Sequence, residues 1–329
     1  MNRYAIHRKK EGIRMTNKQI YAKTFTFTMK RLVFDCICVL LLAGLGVAGF
    51  FIVDKMNDQG LIGLAIGVVF AIILIAILSH FFSYVFKAGQ IAMMTKAITE
   101  GSLPNDVYGE GKRIVKERFL TGAAFYAVTG AIKGIFTQIG RLITKAGESI
   151  GGDTGNAVGS AISTAIQVVV GFLCDCCLGW VFYRKDQKAV KATCEGAVIF
   201  FKNGKALLRN LGRIFGMGIL SFLVFVGIFG GLSYLILSNF PELFVRIASE
   251  LPADAPAWLS NTTNLTLVGA GIIGVIFWSI IHSVFIRPFV LVGVLRNYME
   301  AGMKNIPTES SFAELDKRSS KFAKLHQEL

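Results

Sequence analysis

The sequence predicts an all-α fold, a polytopic transmembrane helical bundle of about six spans with amphipathic cytoplasmic helices. Three observations carry this. The chain is 53% hydrophobic and only 17% charged, where a soluble domain of this size carries roughly a quarter charged residues. Its charges are clustered, and the apolar runs between clusters are long enough to cross the ~30 Å hydrocarbon core of a bilayer as helices. Lysine and arginine also alternate between dense and sparse from one connecting segment to the next, as positive-inside topology requires.

The elements follow in order. Residues 1–31 form a basic cytoplasmic tail with nine lysines and arginines. A cleaved signal has a short leading region and a 7–15-residue apolar core, so the first apolar run is expected to stay as an anchor. The six spans are expected at 32–53, 61–86, 119–139, 157–183, 214–240 and 265–295, making 32–295 the transmembrane domain and 296–329 a cytoplasmic tail. The third span is glycine-rich and holds Lys133, the fourth holds Asp175, the fifth is uncharged, and the sixth runs past Pro288. The tail and segments 87–118, 184–213 and 287–329 carry nine, six, eight and seven basic residues, thirty of the 35. The alternate loops carry four, which places both termini in the cytoplasm of a plasma-membrane protein.

The net charge of +14 is thus assigned to loops facing anionic lipid headgroups and not to nucleic acid. Segment 185–213 interleaves eight basic residues, counting Arg184 just before it, with apolar ones, and reads as an amphipathic helix lying on the membrane surface. Glycines at i, i+4 spacing (Gly63/Gly67, Gly130/Gly134, Gly155/Gly159) predict close helix–helix approach. The expected partners are the bilayer, its anionic headgroups, a small solute and a second copy of the chain.

The sharpest pattern lies in the fourth span. At helical steps of three or four residues, Asn156, Ser160, Ser163, Thr164, Gln167, Gly171, Asp175 and Gly179 fall on one face. Polar groups in a span are costly unless they face the bundle interior or water, so the stripe is read as the lining of a solute path with Asp175 as its charged end. The same membrane leaflet is expected to hold Asp35, His80 and His282, with Cys36, Cys38, Cys174, Cys176 and Cys177. No CxxC pair or HxxxH spacing occurs among them, so neither metal nor cofactor is expected, and the thiols are expected to be reduced. Phosphate-loop, nucleophile-elbow and zincin motifs are missing, and the chain is not read as an enzyme.

GNAVGSAISTAIQ, the cluster CDCCLGW, the basic stretch FFKNGKALLRNLGRI and the apolar run that follows resemble, in that order, the choline transporter-like membrane proteins over residues 155–231. The family's Asn-Ala-Tyr element after the cysteines and its large outer domain have no counterpart here. The resemblance implies choline or related amine transport. Two functions are therefore expected: a small-solute (cation or amine) transporter, or a non-transporting scaffold that binds lipid or a partner through basic amphipathic helices.

Overall fold

The computed structural model describes residues 15–57, 59–119, 122–148, 155–208, 211–249 and 256–328. Its helices, in chain order, are α1 (Asn17–Lys23), α2 (Phe25–Asn57), α3 (Gly60–Glu100), α4 (Val107–Arg118), α5 (Gly122–Glu148), α6 (Gly155–Tyr183) and α7 (Ala189–Leu208). They continue with α8 (Leu211–Leu237), α9 (Pro241–Ser249), α10 (Thr262–Ile281), α11 (Arg287–Lys304), α12 (Glu309–Asp316) and α13 (Ser320–His326). A π turn, His282–Ile286, joins α10 to α11. No strand occurs among the described residues. The chain divides into two compact units: an apolar unit, Thr28–Ser83 with Phe215–Arg287, and a helical body, Met1–Phe27 with Tyr84–Ile214 and Pro288–Leu329.

The apolar unit makes this an integral membrane protein. Four helical segments among the described residues are long and apolar enough to cross a bilayer: Phe25–Asn57, Gly60–Ser79, Gly212–Leu237 and Thr262–Lys304. Their large apolar side chains point outward; Leu40, Ile66, Leu223 and Ile272 are each more than half exposed. A surface of that kind suits lipid and not water. Inside the unit, α2 and α3 meet on glycine. A Cβ added at Gly63 would fall on the Gly49 carbonyl oxygen, and one at Gly67 on that of Leu45, so the expected close approach at this pair is real. At Gly130 an added Cβ meets nothing within 4 Å, and at Gly134 only the Lys321 side chain. That pair marks an open face, not a helix contact. Gly155 and Gly159 lie where side-chain surroundings are not described.

Six spans are expected from the sequence; among the described residues four helical segments are long and apolar enough. A fifth arises only if α4 and Ala123–Gln138 of α5, bent by 81°, count as one broken span. Segments 119–139 and 157–183 supply α5 and α6 of the helical body. The apolar stretch of α6 that is described, Gln167–Tyr183, falls among the shorter apolar helices. Phe172, Leu173, Cys176, Cys177, Trp180 and Val181 of this stretch are buried against protein.

The body has a core of its own, with Ile91, Met94, Phe136, Trp180, Val198, Leu295, Tyr298 and Phe322 almost fully buried. Helix α7 corrects the surface-helix expectation for 185–213. Every residue from Ala192 to Phe200 is buried, so its middle is enclosed on all sides and only its flanks carry basic residues. Glycines set the crossings: a Cβ at Gly179 would come within 2.6 Å of Leu295, and one at Gly302 within 2.6 Å of the Trp180 ring. Helix α3 ends at Gly101 with φ +76°, the left-handed cap that glycine supplies without a steric cost.

Helix α4 is tied back to α3 by Glu110, which receives Arg113 at 2.8 Å and Lys96 at 3.1 Å. The Arg113 hydrogen bond, with Lys96 beside it, outweighs desolvation and pulls the Glu110 carboxyl down to about 2. A folded-state value below the unfolded one stabilises above the unfolded pKa and is lost as pH falls through the folded value. Between about pH 4.5 and 2, therefore, the thermal midpoint of the wild type is expected to fall more steeply than that of Glu110→Gln. Parallel curves in the two proteins would remove the tether from the account.

The segment expected as a cytoplasmic tail, 296–329, is folded onto the body. Phe312, Leu315 and Phe322 are buried, and Lys202 donates to Ser311 at 2.5 Å. Gln138 of α5 holds the start of α13: its Oε1 accepts from Ser319 Oγ at 2.9 Å and from the Lys321 amide at 3.1 Å, and its Nε2 donates to Ser320 Oγ at 3.0 Å. Each such bond is worth about 1 kcal/mol. Gln138→Ala should raise amide exchange in residues 320–326 at least tenfold while leaving α6 protected, as hydrogen-exchange mass spectrometry would register.

Candidate functional site: the polar face of α6

Helix α6 keeps the 3.6-residue spacing read from its sequence, and the face carrying Asp175 is where chemistry was expected. The Asp175 side chain is 3% exposed, and its Oδ1 lies 2.6 Å from Lys87 Nζ, which is 42% exposed. Lys87 sits on α3, three residues after Tyr84, where that helix enters the body. The charged end of the stripe is therefore a closed ion pair. Further up the same face, Thr164 and Gln167 are exposed. The side chains of Asn156, Ser160 and Ser163 lie outside the described residues. Toward the C-terminal end the stripe is closely packed, with Gly179 buried against Leu295, Thr95 and Ile91.

A second buried carboxylate went unnoticed in the sequence. The side chain of Glu195 on α7 is 4% exposed; it accepts from Trp180 Nε1 at 2.9 Å and pairs with Arg184 at 3.3 Å. Arg118 completes this end by donating to the carbonyls of Gln187, at 2.7 Å, and Arg184, at 3.1 Å. These contacts hold the α6–α7 turn with charges that are compensated inside protein.

No family model, curated protein or solved structure matches this chain. Its chemistry has to be read from its own residues.

The expected cluster of inner-leaflet groups divides between the units. Asp35, 3.8 Å from Arg31, and His282 belong to the apolar unit, whereas Asp175, Cys174, Cys176 and Cys177 belong to the body. The His282 ring lies 5.3 Å from that of Trp278, which donates to Ser221 Oγ at 3.2 Å. The side chain of His80 lies outside the described residues. Among the described residues, no group of three or more histidine, cysteine or acidic side chains converges in a way that could hold a metal ion. Cys176, Cys177 and Cys194 are buried. Burial, assisted by nearby carboxylates, pushes the Cys194 thiol up to about 12, so it stays protonated and is a poor nucleophile or metal ligand at neutral pH.

Proposed function

We propose that this chain is a multi-pass protein of the cell membrane whose helical body works by binding and not by catalysis or conduction. The observation that carries this reading is the closed charge on α6. A cation path needs a carboxylate that the solute can reach, and Asp175 is buried with Lys87 already beside it at 2.6 Å.

In this reading the chain has four spans. Four is even, so both termini share a side, and the charge bias sharpens: only Lys55 and Arg246 fall in the two outer connections, and the other 33 of the 35 basic residues face the cytoplasm. The pairing of Arg246 with Asp54 supports that placement, since it joins those same two connections. With six spans, Arg141 and Lys145 would lie outside. Anionic headgroups and a cytoplasmic partner are the natural counterparts of such a body.

A second reading, a small-solute transporter for a cation or amine, draws on exposed Thr164 and Gln167 on the Asp175 face and on the resemblance to choline transporter-like proteins. Radiolabelled choline uptake into proteoliposomes separates the two. The binding reading expects uptake no faster than in protein-free vesicles. Uptake that Asp175→Asn abolishes would replace it with transport.

A further inference from the structure

An open groove of about 350 Å³ runs between α5, α7 and α13 in the helical body. Its apolar lining includes Ala127, Gly130 and Ala131 of α5 with Val190 of α7, and its charged lining is Lys321 and Lys324 with Glu328. The residues at 127, 130, 131 and 134 follow the i, i+3, i+4, i+7 spacing of one helix face, and all are too small to fill the space above them. Nothing lies within 4 Å of a Cβ built on Gly130, while Lys321 reaches over Gly134, with its Nζ 3.5 Å from a Cβ there. Lys321 and Lys324 stand three apart on α13 and so share a face. Neither makes an ion pair among the described residues, although seven other lysines and arginines do. The volume lies toward the lower end of the ~300–1,000 Å³ range of small-molecule sites.

We infer that this groove binds an anionic phospholipid, with the phosphate on Lys321 and Lys324 and part of one acyl chain along Ala127, Gly130 and Ala131. Charge complementarity selects the headgroup, since the two ammonium groups outnumber the single carboxylate of Glu328. The narrow, small-residue floor selects a slender apolar tail. A folded membrane protein meets this ligand throughout its life, so the site needs no further supply. The inference deepens the binding reading and rests on it. It also gives a role to the C-terminal segment, because α13 contributes both cations and is positioned by Gln138.

The test is native mass spectrometry of the full chain in detergent, titrated with phosphatidylglycerol or with phosphatidylcholine of the same acyl chains. Phosphatidylglycerol should bind well above phosphatidylcholine. A lysine near an anionic headgroup contributes about fivefold, so Lys321→Ala with Lys324→Ala should weaken phosphatidylglycerol binding roughly 25-fold. The charge-matched control Lys112→Ala with Lys116→Ala on α4 should leave it unchanged. Gly130→Leu fills the groove from a different helix without touching α13, and it should displace the lipid at an unaltered melting temperature. Equal retention of both lipids, or binding that survives both groove variants, overturns the inference. Displacement by millimolar inorganic phosphate also overturns it, because it would mark a site for a free anion. Choline uptake decides the binding reading and lipid occupancy decides the groove, so each can fail alone.

Discussion

Replacing Lys87 with alanine is expected to lower the unfolding free energy by about 3 kcal/mol, the cost of removing the cation from beside a buried carboxylate. The asymmetry of the pair makes the prediction sharp. Asp175 is 3% exposed and cannot be rehydrated in place, whereas Lys87 is 42% exposed and can turn to solvent. Asp175→Asn, which removes the buried charge and keeps the shape, should therefore cost only about 1 kcal/mol. The double change Asp175→Leu with Lys87→Met should come closer to wild type than Lys87→Ala does, since apolar groups of similar volume often replace a buried pair without loss. Thermal unfolding in detergent, followed by fluorescence of the fully buried Trp180, would rank the variants. If Lys87→Ala melts like the wild type, the pair is not what holds α3 against α6.

Gly63→Val should be the most damaging single change in the apolar unit. Its Cβ would land on the backbone carbonyl of Gly49, and backbone cannot move aside as a flexible side chain can. Overpacking of this kind costs about 3 kcal/mol or more, and in a two-helix seam the relief is separation of α2 from α3. Gly44→Val on α2, the other helix of the seam, meets nothing within 4 Å and should leave yield and melting temperature close to wild type. Detergent-extracted yield and size-exclusion profile would report the contrast, and equal behaviour of the two variants would contradict the glycine seam.

Several features of this architecture were legible in the sequence, and the reasons for success and failure are physical. The α2–α3 pair was readable because apolar length and glycine spacing act locally, within and between adjacent helices. The stripe on α6 was readable for the same reason. What lies opposite it was not: Lys87 comes from a helix far away in the chain, and nothing in the spacing of either helix announces the pair. Length and hydropathy also cannot separate a span from a core helix that protein surrounds on every side. In 157–183, length and hydropathy give no sign that Trp180 and Val181 are fully buried. For α7 the basic residues Lys188, Lys191 and Lys202 suggested a surface helix, but they flank a buried run from Ala192 to Phe200. Glu195 sits inside that run, and its partners Trp180 and Arg184 are brought to it only by the α6–α7 turn.

The sequence order of the helical body has a consequence for how the chain is made. Its core combines Phe27, Ile91, Trp180, Val198, Tyr298 and Phe322, residues spread over nearly the whole length of the polypeptide, and the apolar unit interrupts it twice. Segments leaving the ribosome early must wait beside the membrane with their apolar faces uncovered until α11 to α13 have been translated. During that interval the half-built body is a natural client for chaperones and proteases, and a truncation before Phe322 would prolong the exposure indefinitely.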